Sequence, residues 1–167
     1  MLGWTQTCNG LTMTGLGSQD LLALPMTAFF ASRRCPGTAI RAAMDWALKQ
    51  ARAKSVVISG FHSPLEQSVL KVLVQARSPV VAVLARPVGG AKLPAEWAES
   101  LAEGRLAIVS TATTAARLTG GLAAARNHLA AQLATDIVVA HASPGGALAG
   151  LLAQWQMDGQ GQVKVLV

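Results

Sequence analysis

Tyrosine is absent from this sequence, phenylalanine occurs three times, and charged residues make up only 13% of the chain. Hydrophobic residues nevertheless reach 51%, so the core must be built from small aliphatic side chains, chiefly alanine, leucine and valine. Cysteine is scarce as well. Cys8 and Cys35 are too few for a disulfide framework and lack the paired spacing of a zinc site, which fits a reducing compartment. His62, His141 and Cys35 form no recognisable ligand pair, so no metal is expected. Long apolar runs are missing too, although mean hydropathy is high at +0.40. The most apolar stretches, residues 80–84 and 137–140, fall far short of the roughly 20 residues that cross a bilayer, and Arg126, Asn127 and His128 interrupt the longer alanine-rich stretch. Residues 1–10 carry no basic region followed by an apolar run, so no secretory signal is expected. The expectation is a cytoplasmic protein with no membrane partner.

What is present is a length of 167 residues, enough for one domain with a real core. Short apolar runs at 27–31, 55–59, 80–84, 106–109, 136–140 and 163–167 are hydrophobic on both faces, as buried parallel strands are. Segments with helical spacing lie between them at 37–52, 64–76, 94–103, 114–133 and 146–157. Pro36, Pro64 and Pro94 stand at helix starts, and Gly104 and Gly159 follow helix ends. This alternation predicts an α/β fold in three layers, a doubly wound and mainly parallel sheet of about six strands. Residues 1–25 fit the pattern poorly and read as an extension packed on the domain, with Ser18 capping a short helix over 20–24. Trp46, Trp97 and Trp155 fall in predicted helices, where they pack on the core or on a partner.

Fourteen basic residues against eight acidic ones give a net charge of +6, which suits a polyanionic partner. In an open parallel sheet ligands bind beyond the carboxyl ends of the strands, where the next helices point their amino termini. The first such loop holds Ser32, Arg33, Arg34 and Cys35, so charge and backbone amides can meet on one anion. Beside these arginines Cys35 is either a thiol of lowered pKa or a plain packed cysteine. The second loop holds Ser59, Gly60, His62, Ser63 and Glu66. Gly60 permits close approach, while Ser63 and Glu66 either serve a ligand or form a capping box for the helix at Pro64. A third loop adds Arg86 followed by Gly89 and Gly90. Arg126 and Asn127 are polar residues in an otherwise apolar helix, and adjacent helix positions cannot all face one site. The last loop, Ser143, Pro144, Gly145 and Gly146, can cradle a phosphate with its amides, or be an ordinary tight turn. No Ser, His and acid order marks a hydrolase triad, so no catalytic residue is assigned.

In order and spacing, Ala31-Ser32-Arg33, Ser59-Gly60, Arg126-Asn127 and Ala142-Ser143-Pro144-Gly145-Gly146-Ala147 resemble the DprA/Smf family of DNA-processing proteins. The likeness covers residues 26–167. It implies a Rossmann-like domain that binds a nucleotide or single-stranded DNA, forms a homodimer and hands the strand to a recombinase partner. No cofactor is implied beyond a bound nucleotide or phosphate. The ligand residues it implies are Ser32, Arg33, Ser59, Gly60, Arg126, Asn127, Gly145 and Gly146. The family follows its second-loop Ser-Gly with a Gly-Ile-Asp segment, whereas here residues 61–66 read Phe-His-Ser-Pro-Leu-Glu. The lonely-guy phosphoribohydrolases belong to the same wider group and supply the alternative, a small-molecule nucleotide binder or an enzyme. Their Pro-Gly-Gly is present here, but Leu148 and Ala149 replace Gly-Thr and Leu152 stands where their catalytic Glu is found. With no carboxylate at that position the expectation is binding rather than catalysis, leaving Glu66 as the nearest substitute.

Overall fold

A computed structural model describes residues 3–8, 10–112, 120–159 and 162–166. The elements run β1 (Trp4–Cys8), β2 (Leu11–Gly17), β3 (Met26–Phe30), α1 (Gly37–Ala53), β4 (Val56–Ser59), α2 (Pro64–Gln75) and β5 (Val80–Val83). They continue with α3 (Ala98–Ala102), β6 (Leu106–Ser110), α4 (Gly120–Leu133), β7 (Asp136–Val139), α5 (Ala147–Asp158) and β8 (Gln162–Val165). Every residue of β4, β5 and β6 is buried, because helices cover both faces of the sheet.

Alternation along each strand sorts the core into two halves. Phe29, Val57, Ala82 and Ile108 turn to the face covered by α1 and α2, whereas Phe30, Ile58, Val83 and Val109 turn to the face covered by α4 and α5. Each face has an aromatic anchor. Phe29 stacks on Trp46 with ring centroids 5.0 Å apart, and Phe30 meets Trp155 at 4.7 Å. Burying side chains of this size stabilises the fold by roughly 1.5–3 kcal/mol each, which matters in a chain so poor in aromatics. Among the described residues no helix is long and apolar enough to cross a membrane.

The sheet has eight strands rather than about six, in the order β1-β2-β6-β5-β4-β3-β7-β8. The six expected strands are β3 to β8, all parallel to their neighbours within that group. The two extra strands come from the amino-terminal segment, where β1 and β2 form a hairpin and β2 pairs antiparallel with β6. Alternation in Leu11–Gly17 buries Met13 and Gly15 while the threonines between them stay exposed. Such a one-sided pattern over few residues, interrupted by glycine, is easily passed over beside the two-sided apolar runs. Trp4 anchors the hairpin, its ring against Gly15 and its Nε1 donating to the Gly17 carbonyl at 3.1 Å. The helix expected over 20–24 is a single 3₁₀ turn, Gln19–Ala23, and Ser18 makes no side-chain cap to it.

The segment expected as one helix over 94–103 divides into a 3₁₀ turn, Ala95–Trp97, and the short α3. The expected helix from Thr114 is described from Gly120 onward, and residues 114–119 lie outside the described residues, as does Val167 of the expected last strand. From β3 the chain winds outward through β4, β5 and β6, then crosses back to place β7 on the other side of β3. The crevice at the carboxyl ends of β3 and β7 is therefore the switch point of the sheet, the position where folds of this kind bind ligands.

Candidate functional site

Two regions share the carboxyl edge of the sheet. The first is the switch point itself, built from the loops after β3 and β7. Ser32 joins them: its amide donates to the His141 carbonyl at 2.9 Å and its Oγ accepts from the Ser143 amide at 2.8 Å. Ser143 Oγ reaches the Arg34 carbonyl at 3.5 Å, and the Gly146 amide turns back to the Ser143 carbonyl at 3.0 Å. Gly145 has φ 75°, a conformation that glycine adopts without strain. Helices α1 and α5 begin here behind Pro36 and Gly146, neither with a side-chain cap, so first-turn amides face the crevice. Arg33 and Arg34 are exposed above it. The Cys35 thiol donates to the Ser32 carbonyl at 3.2 Å, and burial, assisted by the Glu66 charge, raises its pKa, so it is the packed cysteine and not the activated one.

The second region lies beyond β4 and β5. Gly60, His62, Arg86 and Arg126 line a cavity of about 340 Å³ there. Arg126 reaches it from α4 and is 8% exposed. Its Nε sits 3.5 Å from Asn127 Oδ1, at the outer limit of a hydrogen bond. Among the described residues no carboxylate lies within ion-pairing distance of it, the two ion pairs being Arg77 with Glu99 and Arg105 with Glu103. Burial lowers the Arg126 pKa, an effect the more distant Glu66 charge partly offsets. The Arg126 side chain passes close against Gly60: a Cβ there would stand 2.4 Å from Arg126 Nε and 2.6 Å from its Cδ. Gly60 thus serves the arginine's approach. Of the three neighbouring polar positions on α4, Arg126 faces the cavity, Asn127 is half-buried and His128 is exposed.

The turn from β4 into α2 supports this cavity. Ser59 is fully buried and its Oγ accepts from the Phe61 amide at 3.1 Å, which holds Phe61 at φ 47°. A non-glycine residue in that left-handed region costs roughly 1–2 kcal/mol, so the turn is kept by its hydrogen bonds. Glu66 supplies most of them. Its Oε1 accepts from His62 and Ser63 amides at 2.9 and 3.2 Å, and its Oε2 accepts from the Ala31 amide at 3.0 Å, while Ser63 caps α2. Of the two readings of Ser63 and Glu66, the capping box is the one their hydrogen bonds follow; these groups point into the fold. His62 is exposed at the mouth of the cavity. Its pKa is lowered by partial burial first and by the Arg126 charge next, with Glu66 opposing and Arg33 adding to the effect. Arg86 is exposed and donates through Nη2 to the Lys92 carbonyl at 3.1 Å, bracing the loop after β5. On α5, Leu148 and Leu152 pack toward the apolar cluster behind the crevice.

Sequence reasoning missed a second hollow beside this cavity. A groove of about 900 Å³ runs between α2 and the loop after β5 and includes Trp97. Its signal is weak, since Trp97 lies close to Leu101 of α3, which packs on the core, and reads as core itself.

Basic side chains and the uncapped amino termini of α1 and α5 thus share the carboxyl edge of a doubly wound α/β sheet. The chain belongs to the DNA recombination-mediator protein A family, whose model matches residues 7–160, and this is the DprA/Smf family its loops resemble. Among solved structures it is similar to the DNA processing protein A of Helicobacter pylori, described for its single-stranded DNA binding mode. The TM-score is 0.78 at 14% identity, over 98% of this chain and 80% of that one. The DprA of Streptococcus pneumoniae gives 0.72 at 18% identity, over 92% of this chain and 54% of that one, so the present chain spans about half of that protein. The molybdenum cofactor carrier protein of Chlamydomonas reinhardtii shares the fold at a TM-score of 0.57 and 14% identity, over 85% and 76% of the two chains. No curated protein matches the sequence.

Proposed function

We propose that this protein binds single-stranded DNA, or a nucleotide of the same chemistry, by its phosphates along the carboxyl edge of the sheet. The observation that carries this reading is Arg126. A guanidinium 8% exposed, with no carboxylate in ion-pairing range among the described residues, is costly to keep unless an anion joins it. Arg126 takes one phosphate in the cavity with Arg86 and His62 beside it. Arg33, Arg34 and the amides around Ser143, Gly145 and Gly146 take a neighbouring one at the switch point. Asn127 orients the arginine, and Ser32, Ser59, Ser63 and Glu66 hold the loops in place. The same reading makes the protein a cytoplasmic homodimer that passes the strand to a recombinase, properties that the family resemblance implies.

Titrating a labelled oligonucleotide with the protein at a series of salt concentrations tests the reading. Four cations engaging phosphates predict a slope of log affinity against log salt of roughly −2 to −3 for a single strand. Binding that is absent at low salt, or indifferent to salt, contradicts it.

A further inference from the structure

The outer side of α1 carries charge that neither the fold nor the carboxyl edge uses. Arg41, Lys49 and Arg52 are exposed, and at about 3.6 residues per turn they fall on the side of the helix opposite the buried Ala39, Ala43, Trp46 and Ala47. Arg41 and Arg52 stand about 17 Å apart along the axis, the run of roughly five stacked nucleotides. No described side chain bonds to any of the three. Asp45 lies among them, four residues from Arg41 and four from Lys49, and pairs with neither. Arg33 and Arg34 precede the uncapped amino terminus of the helix, and its first turn holds no acid, so cations stand where the helix dipole favours a carboxylate. Only Arg52, in the last turn, gains from that dipole. The other face of the sheet differs: among the described residues α4 and α5 expose no lysine or arginine, and their one acid is Asp158. The positive charge of the protein is therefore concentrated on one face, in a row that starts beside the switch point. Unpaired cations in such a row contribute little to the fold.

Resting on the phosphate reading above, we propose that a single strand bound at the carboxyl edge continues along the outer side of α1, its phosphates following Arg41, Lys49 and Arg52. Helix α1 leaves the carboxyl end of β3 and returns the chain to the start of β4, so the row leads from Arg33 and Arg34 toward the amino edge of the sheet. The occupant is a strand and not a lipid surface, because the cations form a narrow line that begins at the phosphate site. Ile40 and Leu48, the exposed aliphatic side chains of the same helix, offer a bilayer little apolar area. Contacts of this kind go to phosphates alone, so the tract adds length to the binding site without reading sequence.

The test measures affinity and its salt dependence for two oligothymidylates, one of about six nucleotides that occupies the carboxyl edge alone and one of about 20 that reaches past it. For the wild type the long strand should give a slope of log affinity against log salt steeper by roughly 2, the share of three added cations. A variant combining Arg41→Gln, Lys49→Gln and Arg52→Gln should lose that difference and bind the long strand roughly ten-fold more weakly at moderate salt, with the short strand unaffected. Comparing variant and wild type on the same strand cancels the gain that any long strand has from its extra registers. Asp45→Asn should act in the opposite sense, strengthening the long strand about two-fold and the short one not at all. A gain of affinity does not arise from misfolding, so this variant guards the test. Equal salt slopes for the two strands in the wild type, or a triple variant that weakens both alike, overturns the tract while binding of the short strand still upholds the phosphate reading. Long-strand affinity retained in the triple variant, with loss of its sedimentation with phosphatidylglycerol vesicles, would make the row a membrane contact and overturn the tract as well. Failure of both strands to bind the wild type overturns the two proposals together.

Discussion

At the switch point between β3 and β7 the polar groups are bonded to one another, through Ser32 to His141 and Ser143, and the charges of Arg33 and Arg34 stand in solvent. At the ends of β4 and β5 the arrangement is reversed. There the charge is buried, on Arg126, and among the described residues no carboxylate pairs with it. An exposed arginine over a satisfied loop costs the fold almost nothing and contributes little when it is alone. A buried guanidinium without a counter-ion destabilises the free protein, and an arriving anion relieves that penalty. On the proposed reading the two regions divide the work: the switch point would attract and position a strand, and the Arg126 cavity would supply the contact that depends on occupancy.

The largest effect that bears on this contrast is expected at Glu66, which holds both regions. Glu66→Ala leaves the Ala31, His62 and Ser63 amides without their acceptor and should lower stability by about 2–4 kcal/mol in urea unfolding, with oligonucleotide binding lost alongside. Gly60→Ala comes next. Its Cβ has no room beside Arg126, so the guanidinium must move, and fluorescence anisotropy should show affinity reduced about ten-fold, the order of one charge-assisted hydrogen bond. Ser32→Ala removes the acceptor of the Ser143 amide and should cost about 1 kcal/mol of stability with a smaller loss of binding, because the switch-point charges remain. If Ser32→Ala weakens binding more than Gly60→Ala does, the division between the regions is wrong.

The smallest effect is a pH dependence at His62. Its pKa in the free protein is lowered from 6.5 by burial and by Arg126, so the neutral form is favoured in the fold. The unfolded chain then binds the proton more readily, and the stability contributed by neutral His62 is present above pH 6.5 and declines as the pH falls below it. A phosphate in the cavity reverses the preference by favouring the imidazolium. DNA affinity should accordingly rise as the pH falls from about 7.5 to about 5.5, and His62→Gln should flatten that rise. Opposite slopes for stability and binding distinguish this from a general acid effect on the fold.

Much of the fold was legible because the parallel strands are apolar on both faces, so that runs such as Val-Val-Ile-Ser in β4 stand out from any surface segment. The hairpin of β1 and β2 was not, since its one-sided Thr-rich alternation and three glycines at 10, 15 and 17 resemble a loop. For the site, Arg86 and Arg126 were legible as charges in conspicuous places. The distinction between them was not, because the burial of Arg126 depends on Gly60, distant in sequence, having no side chain. Glu66 shows the same limit. Its spacing from Ser63 predicts the capping box, but its bond to the Ala31 amide crosses between two loops that only the sheet order brings together.

Replacing Arg126 with methionine tests the central claim most directly, because it keeps much of the side-chain volume and removes only the buried charge. The account predicts oligonucleotide binding weakened at least ten-fold, a salt slope reduced by roughly 0.7, and thermal stability unchanged or higher. Unchanged binding, or a marked fall in stability with binding retained in the folded fraction, would contradict it and make Arg126 a structural group.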